Sequence, residues 1–147
     1  MILNLTSLAT RIRQIILATP EHKRPTRLID FPAGSCGDSS LLIGSYLIDL
    51  GYTKIEYVVG LNGGQSHAWL ECGDIIIDIT ADQFGSHLKP IIVTRDRTWH
   101  NHFKNQKREI GDFREYQDPT IYELYDFSEI LVQAMEGEGS QLLFNKA

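Results

Sequence analysis

Between Ile55 and Thr80 the apolar residues of this chain follow the period of β-strands, and turn residues interrupt the run at two places. Ile55-Glu56-Tyr57-Val58-Val59-Gly60 reads as a first strand, Asn62-Gly63-Gly64-Gln65 as a turn, and Ser66-His67-Ala68-Trp69-Leu70-Glu71 as a second strand. Gly73 breaks the pattern again. Asp74-Ile75-Ile76-Ile77-Asp78-Ile79-Thr80 then reads as a third strand, whose isoleucines predict a central place in the sheet. Strands joined by such short turns pair antiparallel, and that commits this stretch of the chain to a sheet.

On either side the period is helical. Leu5, Leu8, Ile12, Ile15 and Ile16 predict an amphipathic helix over residues 4–18, closed by Pro20. The small-residue loop from Phe31 to Ser40 delivers Cys36 to the first turn of a second helix that runs to about Leu50. In that helix Leu42, Ile43, Tyr46, Leu47 and Leu50 share an apolar side, and Gly51 is its stop. Ser35 as N-cap with Asp38 three residues on has the spacing of a capping box. After Thr80 the chain leaves the sheet, and Pro90-Ile91-Ile92-Val93-Thr94 predicts a fourth strand. A last helix is expected from Thr120 through Ala134, ended by Gly137-Glu138-Gly139-Ser140, with a loose tail from Gln141. The stretch from Arg95 to Pro119 is polar and aromatic without a clear period, and no element is assigned to it.

The resulting expectation is one α+β domain over residues 1–147, in which a helix carrying a cysteine packs on an antiparallel sheet. A length of 147 residues supports a core without staples, and 42% hydrophobic with 22% charged residues are ordinary globular values. A formal charge of -5 argues against a nucleic-acid partner held by a broad basic surface, and no Lys/Arg run points to a membrane. Cys36 and Cys72 make no disulfide framework, and no cleavable signal peptide is evident. A reduced, cytoplasmic location is therefore expected, with export by a route that needs no signal peptide left open.

A cysteine in the first turn of a helix sits where unpaired N–H groups and the helix dipole favour thiolate over thiol, which makes a sulfur nucleophile. The plain alternative is a cysteine used as a small buried hydrophobe. If the second and third strands form a hairpin turning on Cys72 and Gly73, then Glu71 faces Asp74, Trp69 faces Ile76 and His67 faces Asp78. An imidazole held by a carboxylate keeps one tautomer and can take a proton from a thiol. The pairing depends on register, since a slip of one residue moves Asp78 to the other face.

Gly34-Ser35-Cys36-Gly37-Asp38 at a helix start, then Ser66-His67-Ala68-Trp69-Leu70-Glu71, then Asp78-Ile79-Thr80, resembles the core of the transglutaminase-like branch of papain-fold cysteine enzymes. The resemblance covers roughly residues 30–84, and a compact bacterial or phage-type member is the better comparison. It implies Cys36 as nucleophile, His67 as general base and acid, and Asp78 as the orienting carboxylate. The activity implied is thiol-dependent acyl transfer through a thioester, without a cofactor, in a peptidase, an amidase, a glutamine deamidase, a transamidating enzyme or an effector toxin. A protein or peptide substrate and, in a toxin, a cognate inhibitor would be the partners.

Papain-like peptidases place a glutamine six residues before the nucleophile to hold the oxyanion, and Asp30 stands there instead. A carboxylate cannot donate that bond, so the Cys36 N–H would need another donor, with Gln65 and Gln83 as candidates. Trp69 shares a strand face with His67 and is a candidate for lining the site. His100-x-His102 with His87 and Cys72 offers zinc-ligand types, but at spacings that match no structural set. The acidic C-terminal third, with Asp112, Glu115, Asp118, Glu123 and Asp126, reads as a solvated face or as a surface for a basic partner. The competing function is a non-catalytic binding or immunity module that keeps the same scaffold without turnover.

Overall fold

In a computed structural model the chain is α+β, with three helices and one antiparallel sheet. The structure describes residues 1–146, with side chains through Gly137. The helices are α1 (Ile2–Ala18), α2 (Cys36–Asp49) and α3 (Ile121–Lys146). The strands are β1 (Ile55–Asn62), β2 (Gln65–Cys72), β3 (Ile75–Asp78), β4 (Ile92–Thr94) and β5 (Lys104–Ile110), in the order β4-β3-β2-β1-β5. No helix of the described residues is long and apolar enough to cross a membrane.

The pleat divides the apolar residues into two groups. Leu70, Cys72, Ile75 and Ile77 point to the face covered by the helices, where they join Leu5, Ile12 and Ile16 of α1, Leu42 and Leu47 of α2 and Phe127 of α3. Val58, Trp69 and Ile76 point to the other face and pack with Phe103, Phe84 and Trp99. The segment after β4 therefore builds the second core layer. β3 is buried along its whole length between β2 and β4, as its isoleucines require.

α2 lies very close to the chain that follows β5. A Cβ on Gly44 would collide with the Gly111 carbonyl, so the helix can approach only because residue 44 has no side chain. Arg13 of α1 fixes the chain beyond β3. Its guanidinium makes a two-pronged pair with Asp82 (3.0 and 2.7 Å) and also donates to the Ile79 carbonyl at 2.6 Å. At the start of α3, Glu123 accepts from the Thr26 N–H and hydroxyl, at 2.9 and 2.8 Å.

Three expectations need correction, and the stretch left without an element acquires one. The capping box does not form: Ser35 is the N-cap residue of α2, but its hydroxyl donates to the Arg27 carbonyl at 2.8 Å. Asp38 turns to the Arg27 guanidinium instead of closing the box. The β2–β3 turn is centred on Gly73 and Asp74 rather than on Cys72 and Gly73, because Cys72 pairs with Ile75. Gly73, with φ of 59°, takes the first central position, where a type II′ turn needs glycine. β5 occupies part of the unassigned stretch, and α3 continues past Gly137-Glu138-Gly139-Ser140 to Lys146; of the tail expected to be loose, Ala147 lies outside the described residues.

Candidate active site

β2 and β3 bring His67 and Asp78 together on the face that carries Trp69 and Ile76. The ladder pairs Leu70 with Ile77, so its continuation sets Trp69 opposite Asp78, and His67 is the diagonal neighbour. The difference from the expected register is two residues, which preserves the face. The His67 ring spans the diagonal: its Nε2 lies 2.7 Å from Asp78 Oδ2.

Asp78 is surrounded by donors. Oδ2 also meets His100 Nε2 at 2.8 Å, while Oδ1 accepts the Thr80 N–H at 3.0 Å and faces the Thr80 hydroxyl at 3.5 Å. These bonds overcome the burial that opposes ionisation and hold the Asp78 carboxyl well below the usual carboxylate range. Because an ionised carboxylate only accepts, both imidazoles must carry their protons on Nε2. That leaves His67 Nδ1 as the free nitrogen of a neutral ring. It is buried and has no hydrogen-bond partner of good geometry.

The group that acts on the rest of the ring is Cys36. Burial pulls the His67 pKa down, but hydrogen bonding to Asp78 and Cys36, together with their charges, raises it to about 9. Cys36 is the first residue of α2 and half-buried, and both cysteines are free thiols. Leu42 and Leu47 bind α2 to the helix-covered face, whereas His67 belongs to the opposite one. Rings of Phe84, Trp99 and Phe103 stand 5.0, 5.7 and 5.3 Å from the His67 ring and close it off from water.

His100 escaped the sequence analysis as a member of this group, because it lies in the stretch without a period. A second buried carboxylate positions it. Glu71 Oε2 accepts from Arg97 at 2.7 Å and from the Trp69 indole N–H at 2.9 Å, and Oε1 accepts from Arg108 at 2.8 Å. Arg97 precedes His100 and Arg108 follows it, so both ends of the segment that carries His100 are tied to one residue of β2. The sequence held one signal for this: a glutamate alternating with Trp69 and His67 on a buried strand needs cationic partners from elsewhere.

Trp69 is fully buried. Its ring packs 4.7 Å from His100 and 5.7 Å from His67, supporting both from within. Gln65 is exposed at the start of β2 and lines a cavity of about 260 Å³ with Asn62, Phe84 and His87. An adjoining cavity of about 380 Å³ reaches His100 and Trp99, and Cys36 lines neither. Gln83 follows Asp82 in a short 3-10 turn, with its amide nitrogen buried and without a partner.

Among the described residues, His67, Asp78 and His100 are the metal-ligand types close enough to share an ion, their candidate ligand atoms lying within 4.8 Å of one another. Binding there through both Nε2 atoms would displace their protons and move the His67 proton to Nδ1, leaving no ring nitrogen free to accept, so an ion and a His67 base exclude each other. The zinc-ligand types His87, His100, His102 and Cys72 are not brought together among the described residues. His102 is exposed, with Nδ1 on the Trp99 carbonyl, and the Cys72 thiol points to the Thr53 carbonyl.

Cysteine at a helix start, imidazole on the next strands and a carboxylate behind it make an arrangement able to form and protonate a thiolate. No protein-family model, no curated protein and no solved structure matches this chain.

Proposed function

We propose that the chain is a thiol-dependent acyl-transfer enzyme in which Cys36, His67 and Asp78 act together, built on a transglutaminase-like version of the papain fold. The observation that carries this reading is the orientation of His67: Nε2 is committed to Asp78, and the buried Nδ1 has no acceptor or donor other than the neighbouring thiol to serve. The chain order Cys, His, Asp and the placement of a helix start beside an antiparallel sheet agree with the resemblance.

In the reaction, the Cys36 thiol passes its proton to His67 Nδ1, and the sulfur attacks an amide or related acyl carbon. The tetrahedral oxyanion collapses as His67 returns the proton to the departing amine, which leaves a thioester on Cys36. Asp78 stabilises the imidazolium throughout and fixes the tautomer, and His100 holds Asp78 in place. Water then gives hydrolysis or deamidation, and an amine acceptor gives transamidation. A protein or peptide is the substrate class that fits this chemistry.

The test is the rate of Cys36 alkylation by iodoacetamide across pH, followed by peptide mass spectrometry with Cys72 as internal reference. Burial and the charge of Asp74 push the Cys72 thiol up, so it stays slow in neutral solution. Rapid Cys36 modification well below pH ~8.5 that slows in His67→Ala supports the enzyme. A Cys36 that reacts like Cys72, indifferent to His67, favours the non-catalytic binding module.

A further inference from the structure

The proposed reaction needs a second donor for the oxyanion, and Tyr57 lies at the first turn of α2. It stands on β1 with its hydroxyl over the first turn of α2, where a methyl group built on Gly37 would lie 3.0 Å from the Tyr57 oxygen. Glycine beside the nucleophile thus admits a phenol to the backbone of the helix start. The ring is half-buried among the residues of the helix-covered core, and among the described residues its hydroxyl makes no hydrogen bond. The charges of Cys36 and Asp38 both bear on it and, after burial, push the phenol up, so the hydroxyl keeps its proton. Around it the N–H groups of Cys36, Gly37 and Asp38 have no acceptor within the helix, and the Ser35 side chain does not cap them.

We propose that Tyr57 is a catalytic residue, whose hydroxyl joins the Cys36 backbone N–H in holding the oxyanion formed when Cys36 attacks an acyl carbon. This rests on the acyl-transfer reading above. It assigns Tyr57 the role that Asp30 cannot play.

Two reagents separate this idea from the reading it rests on. p-Nitrophenyl acetate reacts through an oxyanion: the sulfur bonds to the acetyl carbon, the carbonyl pair moves to oxygen and returns, and p-nitrophenolate leaves, with the thiol proton on His67. Iodoacetamide alkylates the same sulfur by displacing iodide, and no oxyanion forms. Tyr57→Phe is therefore expected to slow acetylation of Cys36 by roughly 10- to 100-fold, read as the p-nitrophenolate burst, while alkylation stays within about twofold of wild type. Gly37→Ala, which crowds the hydroxyl but keeps it, should give a smaller loss of the same kind. An unchanged ratio of acetylation to alkylation in Tyr57→Phe overturns the assignment. So does an equal fall in both rates, which would make Tyr57 a support for Cys36. A wild-type Cys36 whose alkylation ignores His67 instead overturns the acyl-transfer reading itself, and the Tyr57 role falls with it.

Discussion

Two buried carboxylates share one face of the sheet, and each gathers two basic side chains from the segment that follows β4 or from its neighbours. Glu71 holds Arg97 and Arg108 with the Trp69 indole, and Asp78 holds His67 and His100 with Thr80. Both carboxyls are kept ionised by their donors, so their own charge does not tell them apart. Their partners do. Guanidinium groups stay charged at every accessible pH, and those of Arg97 and Arg108 are 30% and 39% exposed. The imidazoles at Asp78 are fully enclosed, and that of His67 can take up a further proton. The Glu71 cluster is a fastening, and the Asp78 cluster is where a proton can be stored and moved.

Removing each carboxylate is the harshest way to break that contrast. Asp78→Ala strands two enclosed imidazoles and the Thr80 N–H, and we expect a loss of about 3–5 kcal/mol in urea unfolding. Glu71→Ala should cost less, about 2–3 kcal/mol, because both arginines can turn toward water while only the Trp69 N–H is left buried without a partner. Glu71→Ala should also loosen β5, read as faster amide exchange at Val58 and Val59 of β1, which pair with it. Equal costs at the two sites would mean that exposure of the partners does not govern these clusters.

The second test uses pH. A His67 pKa of about 9 in the folded protein, against about 6.5 unfolded, means that the native state keeps a proton which the unfolded chain releases between those values. The stabilisation is fully present below pH ~6.5 and is lost as pH rises through ~9, by up to roughly 3 kcal/mol. Unfolding free energies measured from pH 6 to 10 should fall accordingly. Cys36→Ser takes away one of the groups that raise this pKa, so its profile should be flatter over the same range. A wild-type profile as flat as that of the serine variant would remove the Cys36 contribution. The Glu71 cluster adds no slope of its own in this window.

The parts of the fold that were legible in the sequence are those whose pattern reports burial directly. α1 buries one face and shows it in its apolar period, while β3, buried along its whole length, shows it as an unbroken run of isoleucines. β5 reads Lys104-Asn105-Gln106-Lys107-Arg108-Glu109-Ile110 and has no such period, because it is a sheet edge exposed along most of its length. Only its pairing with β1 makes it a strand. His67 and Asp78 were legible as a pair because alternation sets the face, even though the turn was displaced and the register with it. His100 was not, since its place depends on Glu71 drawing in two arginines from a stretch without period. Nor was Tyr57, whose role depends on where the α2 start lies over β1, a distance that local pattern does not encode.

His100 provides the finest test of the contrast between the clusters. His100→Phe keeps a ring of similar size against Trp69 and removes the donor to Asp78 Oδ2. The structural cost should be modest, about 1–2 kcal/mol, since Oδ2 still accepts from His67 and Oδ1 from Thr80. The electrostatic effect should be more telling. In the native cluster Asp78 divides its charge between two N–H donors; with one gone, more of it falls on His67. The His67 pKa should therefore rise further above that of the native protein, by an amount readable from its ring proton shifts in an NMR titration. With the proton held more firmly on His67, the pH at which Cys36 loses its imidazolium partner should rise, so the alkaline limb of the Cys36 acetylation profile should move up in parallel. A purely structural His100, like the arginines on Glu71, would change stability and leave both profiles where they were.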